Sequence, residues 1–197
     1  MSEEYANGNP KIVYYYDNGA DAKEHPIVTC ERGIGSADKP ISFDEERYYR
    51  NGKLHSKGRF REGLTFALWE YFYETGILES KCYYQNGIPK DTIYCWHPSG
   101  KLKRELIEID TIKKYWKAFD YFENGNKFLE TDLYSDSIGN WTIDGKYNEW
   151  FENGNKKFIA VIRNNWTFGK WQEWDNKGTL IKEGKKPMNI TFGLNSP

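Results

Sequence analysis

Histidine and cysteine are both scarce in this chain, at three residues each among 197. His25, His55 and His97 stand apart, with no cysteine or carboxylate at metal-ligand spacing, so neither a zinc site nor a nucleophile–base pair can be read. Cys30, Cys82 and Cys95 are odd in number, which fits a reducing compartment or the loss of a lipidated fourth cysteine from a longer N-terminus. Cys82 and Cys95 are not expected to pair, because a turn at Asn86-Gly87 sets Cys82 opposite a position near Asp91 and Cys95 opposite one near Leu78. Charge of either sign is also missing in excess: 28 basic and 29 acidic residues leave a net −1. Nothing electrostatic therefore favours nucleic acid or anionic lipid as a partner. No apolar run approaches the roughly 18 to 20 residues of a spanning helix, and the opening Met-Ser-Glu-Glu-Tyr has no basic-then-apolar signal layout. The expectation is a cytoplasmic protein as written, exported or lipid-anchored if a native signal precedes this sequence. No glycine-rich phosphate loop opens a helix. The reading is of a protein without enzymatic activity, cofactor or metal, since no catalytic cluster is visible.

What the chain has is a glycine beat. Tyr48-Tyr49-Arg50-Asn51-Gly52, Phe72-Tyr73-Glu74-Thr75-Gly76, Tyr121-Phe122-Glu123-Asn124-Gly125 and Trp150-Phe151-Glu152-Asn153-Gly154 repeat one pattern. The marks Gly52, Gly76, Gly100, Gly125, Gly154 and Gly178 are 24, 24, 25, 29 and 24 residues apart, the signature of a repeat array. A second glycine 11 residues on, as in Gly52 to Gly63 and Gly76 to Gly87, divides units into 11 and 13. Gly8 to Gly19 is again 11, which restores the N-terminal segment as a first unit, while the 33 residues from Gly19 to Gly52 imply a 20-residue insertion at about 21–43. Aromatic and aliphatic segments of about eight residues between Asn-Gly-type turns read as strands. The expected fold is all-β: an elongated antiparallel meander of hairpins with twelve to fourteen strands. Residues 1–186 form a single repeat domain of about seven units, and 187–197 a C-terminal tail or cap. Leu102 to Lys117 has some helical spacing, which its place in the array overrides. Asp110 and Thr111 stand where a second glycine is due, so that hairpin is expected to turn differently; Asn164-Asn165 can take the same backbone region as glycine.

Aligning the units yields columns. Four residues before each mark stand Tyr48, Phe72, Trp96, Tyr121, Trp150 and Trp174; two after it stand Leu54, Leu78, Leu102, Lys127, Lys156 and Leu180. A three-residue loop ending in a left-handed glycine makes these columns face each other as a spine, taken here as the core. A two-residue loop would instead set the aromatics opposite His55, Glu79 and Lys103 and turn them to solvent. On the preferred register Tyr49, Tyr73, His97, Phe122 and Phe151 point the other way, among charges. They are the candidate partner-binding residues, against the alternative that a thin sheet needs aromatics on both sides to cover its backbone. Trp141 joins them, because the five-residue lengthening before Gly154, around Ser135 to Trp141, sets it at a loop tip. Insertions of this kind often carry binding, though loops also accept them at small cost.

The aromatic, two-spacer, Asn-Gly, basic pattern, as in Glu149-Trp150-Phe151-Glu152-Asn153-Gly154-Asn155-Lys156 and Gly169-Lys170-Trp171-Gln172-Glu173-Trp174, resembles the MORN-repeat variant family, a bacterial offshoot of the membrane occupation and recognition nexus repeat. The resemblance covers Tyr48 to Gly184 well and Tyr5 to Gly19 loosely. It implies a twisted single sheet or open half-tube of hairpins without activity of its own, and an antitoxin or immunity-like role in which the partner is another protein, possibly a toxin. Two other readings stay open. One is a scaffold at a membrane or cell surface. The other is a glycan- or choline-binding aromatic module, whose repeats run nearer twenty residues.

Overall fold

The computed structural model describes residues 2–16, 42–136 and 141–190. Regular structure there is entirely β, without a helix. The chain forms two compact units, Met1–Asp91 with Pro98–Gly100, and Thr92–His97 with Lys101–Pro197. The first holds β1 (Ser2–Glu4), β2 (Pro10–Tyr16), β3 (Ser42–Tyr48), β4 (Leu54–Arg61), β5 (Leu64–Phe72) and β6 (Leu78–Gln85), paired antiparallel in chain order. β7 (Ile88–Trp96) begins in the first unit and ends in the second. The second continues with β8 (Leu102–Asp110), β9 (Tyr115–Tyr121), β10 (Lys127–Ser135), β11 (Trp141–Trp150) and β12 (Lys156–Arg163). β13 (Trp166–Thr167) and β14 (Trp171–Trp174) pair with opposite ends of β12, and β15 (Leu180–Gly184) follows β14. The segment of helical spacing is thus strands β8 and β9, as its place in the beat requires.

The glycine marks are one turn used repeatedly. Tyr49 N–H donates to Lys53 O at 2.8 Å and Gly52 N–H to Tyr49 O at 2.9 Å, which closes the three-residue loop Arg50-Asn51-Gly52 with Gly52 at φ +84°. The same pair of bonds recurs at Gly8, Gly76, Gly125, Gly154 and Gly178. Gly8 is therefore the mark of the first unit. The second turns are shorter: Glu62-Gly63, Asn86-Gly87 and Asn164-Asn165 all have both residues at positive φ, the two-residue hairpin loop whose twist suits its strands. Where glycine is absent at Asp110-Thr111, the loop widens to the four residues between Asp110 and Tyr115. Asp110 Oδ1 accepts the Ile112 and Lys113 N–H groups there, and Lys114 takes the left-handed residue at φ +55°. The lengthened unit has five residues between its paired Ser135 and Trp141, against two between Arg61 and Leu64. Of the insertion at 21–43, residues up to 41 lie outside the described residues. Ser42 and Phe43 belong instead to β3, where Phe43 pairs with Tyr16 and stacks on Phe60 at 5.3 Å.

The expected hairpin register is the one found: Tyr48 faces Leu54, Phe72 faces Leu78, Trp96 faces Leu102, Tyr121 faces Lys127, Trp150 faces Lys156 and Trp174 faces Leu180. The expected core is not. In every one of these hairpins the next pair skips a residue (His55, Glu79, Lys103, Phe128, Lys157 or Ile181), a bulge that ends the simple facing of the two columns. Side chains alternate along a strand, so the buried Trp69, Ala118 and Trp171, three residues before the aromatic column, point to the opposite face from it. That face carries the core: Trp69 and Cys82 in the first unit, and in the second Leu106, Trp116, Ala118, Leu133, Ile143, Phe158, Ala160, Ile162 and Trp171. The spine column is half-buried on the other side, and Lys156 and Leu180 are exposed. The tail contributes to the core. Met188 and Ile190 pack against the cluster, Thr167 N–H donates to Met188 O, and Met188 N–H donates back to the Thr167 hydroxyl. This covers β13 rather than the last strand; residues 191–197 lie outside the described residues.

Candidate functional site

The candidate partner-binding residues Tyr49, Tyr73, His97, Phe122 and Phe151 sit at the first position of the mark turns, just past the strands. All are half-buried. Their side chains work within the array. Each ring packs beside the bulge residue of its own hairpin where that residue offers a partner: Tyr49 edge-on to His55 at 4.8 Å, Phe122 edge-on to Phe128 at 5.1 Å, and Lys157 Nζ 5.9 Å over Phe151. The polar members reach forward to the next mark turn. Tyr5 OH donates to Tyr48 O at 3.0 Å, Tyr49 OH to Phe72 O at 2.6 Å, and His97 Nε2 to Tyr121 O at 2.9 Å, so this nitrogen carries the proton. Burial, then the nearby Glu79 and Glu74 carboxylates, raise the Tyr49 phenol above its ordinary pKa. Trp141 is the first residue of β11, not a loop tip; it packs edge-on against Trp116 at 5.5 Å and joins the margin of the core.

Asparagines extend the same stitching. Asn51 Nδ2 donates to Glu74 O, Asn124 and Asn126 both donate to Glu152 O, and Asn153 and Asn155 both donate to Asn176 O. Each first asparagine also accepts, through Oδ1, the N–H two residues ahead, as in Asn153 with Asn155 at 3.0 Å. One residue thus shapes its own turn and ties it to the next, through exposed bonds worth about 0.5 kcal/mol each. Within each of the two compact units, these bonds at the mark-turn end hold successive hairpins together.

The half-buried face is where rings and charges meet solvent. In the first unit Arg59 makes a bidentate pair with Asp44 at 2.7 and 3.0 Å, and Lys57 pairs with Glu70 at 2.9 Å while lying 5.9 Å over Phe72. In the second, Lys127 pairs with Glu130 at 2.9 Å and lies 4.9 Å over Phe119 and 5.4 Å over Trp150. Burial leads the effects on Glu130 and opposes its charge, yet Lys127 and Lys117 outweigh it and lower the carboxyl pKa. Tyr94 stacks on Trp96, and Tyr121 OH donates to Glu105. Burial first, then that carboxylate, pushes the Tyr121 phenol up to about 12. Towards the short-turn end the same face exposes Leu64, Leu68 and Tyr83 in the first unit, and Val161, Trp166 and Phe168 in the second.

Cys82 and Cys95 are not in disulfides. Among the described residues no three metal-ligating side chains cluster, and no helix is long and apolar enough to cross a membrane. The buried ion pair, Arg104 to Asp120 at 2.6 and 2.8 Å, joins two core-facing strands, and the bond to Asp120 raises the Arg104 pKa further.

Compared with known families, residues 44–62 and 67–86 match the MORN repeat variant. Each matched stretch spans one mark-turn hairpin, β3 with β4 around Gly52 and β5 with β6 around Gly76. The chain thus contains MORN-type repeats, and their unit coincides with the hairpin built on the glycine beat. No curated protein matches the chain.

Proposed function

We propose that this chain is a non-catalytic repeat protein that binds another protein, and more narrowly an antitoxin or immunity-like protein that neutralises a partner toxin. The observation that carries the reading is the half-buried face, where one aromatic per unit stands among charge pairs of both signs and ends in exposed apolar side chains. Aromatics and arginine beside apolar area are the composition of protein interfaces, and balanced charge suits a protein surface better than a polyanion. The aromatic positions that would cage a choline are partly taken by the chain's own lysines, as Lys127 is over Phe119 and Trp150, which favours protein over choline. The narrower reading follows what the resemblance to the MORN-repeat variant family implies, while the match itself supports the repeat.

The test is co-expression with the product of the adjacent gene. A stable complex on size exclusion, together with toxicity of that product alone and its loss on co-expression, is the expected result. A neighbour that neither binds nor harms the cell alone overturns neutralisation.

A further inference from the structure

Two segments, one in each unit, repeat a sequence that the glycine columns do not contain. Arg61-Glu62-Gly63-Leu64-Thr65-Phe66-Ala67-Leu68-Trp69 and Arg163-Asn164-Asn165-Trp166-Thr167-Phe168-Gly169-Lys170-Trp171 share arginine, threonine, phenylalanine and tryptophan at matching places. Their backbones match as well. Both begin with a two-residue turn at positive φ, and both have a third left-handed residue, Ala67 at +60° and Gly169 at +77°. Trp69 and Trp171 anchor each segment in the core. The Arg61 guanidinium lies 4.0 Å over the Phe66 ring, and the Arg163 guanidinium 3.9 Å over Phe168.

These arginines differ from those held in ion pairs. Arg47, Arg59 and Arg104 are paired with Glu45, Asp44 and Asp120. Among the described residues, Arg61 and Arg163 have no carboxylate within salt-bridge distance; ring stacking orders the guanidinium and leaves its N–H donors unspent. Large apolar surface lies beside each, from Leu64 at 47% exposed, and from Trp166 and Phe168 at 50% and 54%. A fixed cation next to open apolar area is complementary to a carboxylate next to a large apolar side chain. A basic or neutral segment would bury the cation unpaired, at a cost.

We propose that the two segments are equivalent docking sites, one per unit, for acidic–apolar stretches of a protein partner, with the guanidinium taking the carboxylate and Leu64 or Trp166 taking the apolar side chain. The proposal rests on the protein-binding reading and names the chemistry that such a partner presents.

The experiment is a titration of the full-length, isotope-labelled chain with the acetylated, amidated peptide Gly-Glu-Phe-Glu-Gly, followed by amide and indole NMR signals, with Gly-Lys-Phe-Lys-Gly as control. The acidic peptide is expected to shift the Phe66, Phe168 and Trp166 signals with two sites per chain, and the basic one to leave them in place. Arg61→Gln should remove the first set and Arg163→Gln the second, each weakening its site about tenfold or more, as losing a charged hydrogen bond does. Arg→Lys at either site, which keeps the charge and loses the planar fork, should retain part of the binding. Equal shifts with the basic peptide, no shifts up to millimolar peptide, or undiminished binding to the doubly substituted R61Q/R163Q chain overturns the proposal. If the adjacent gene product binds R61Q/R163Q as well as the parent chain, the docking sites fall and neutralisation stands. If it does not bind the parent while the peptide does, neutralisation falls and the sites stand.

Discussion

Trp171 and Trp174 lie in the same four-residue strand, yet the first is buried and the second half open, because they point to opposite faces. Only the open face is regular in sequence. Its aromatic column recurs because every unit makes the same turn beside it, whereas the core position three residues earlier runs Glu45, Trp69, Ile93, Ala118, Tyr147, Trp171. Packing there is complementary rather than repeated. Trp69 lies over Gly58 and Trp171 over Gly184, where a Cβ would come within 2.2 and 2.6 Å of the rings. Recurrence in a repeat protein thus tracks the geometry every unit shares, and the interior follows volume.

The sharpest way to break this contrast is to truncate both tryptophans. Trp171→Ala should cost about 4 kcal/mol and Trp174→Ala no more than about half that, measured by urea unfolding. Equal losses would mean that the faces are not energetically distinct. Next in size, Gly58→Ala should cost about 2 kcal/mol by forcing the Trp69 ring aside, and pairing it with Trp69→Leu should recover part of that loss; if the two costs simply add, volume complementarity is not the cause. On the turn side, Asn153→Ala should lose about 1 kcal/mol, since it removes both the bond to Asn176 O and the one that shapes its own turn. The smallest effect is pH-dependent. The Tyr121 phenol, raised from 10.0 to about 12, binds its proton more tightly folded than unfolded, so its contribution is present below about pH 10 and lost as pH climbs towards about 12. Tyr121→Phe should accordingly flatten the alkaline fall in the unfolding midpoint, and an unchanged slope would remove Tyr121 as its source.

Much of the architecture is legible in the sequence. Glycine at a left-handed position is demanded by the backbone, so Gly52 and its equivalents report the turn, and of the two loop lengths open to it the preferred three-residue one is found, with Tyr48 facing Leu54. The bulge at His55 and its equivalents was not legible, because it requires no residue type: histidine, glutamate, lysine, phenylalanine and isoleucine all occupy it. Shared aromaticity in the sequence therefore points to burial, whereas the column lies on the half-buried face. The proposed docking sites were missed for a different reason. The Arg-x-x-Leu/Trp-Thr-Phe-x-x-Trp match was present in the sequence, but it recurs in two units and not in all, and an alignment keyed to glycine averages it away. Tyr49 and His97 were singled out for their aromaticity, yet their hydrogen bonds to the following turns show them engaged within the chain.

Those forward bonds give the array a direction. From Tyr5, Asn7 and Asn9 to Asn153 and Asn155, the donor belongs to the earlier turn and the acceptor to the later one. Units added or lost at the two termini are therefore not equivalent events. Removing the first leaves carbonyls that water can satisfy, while removing the last strands a pair of ordered amides and loosens the turn they brace. The Gly178 turn, Asp175-Asn176-Lys177-Gly178, has Lys177 and Thr179 at the two asparagine places, as the Gly76 turn has Thr75 and Ile77, and Asp175 accepts both the Lys177 and Thr179 N–H groups itself.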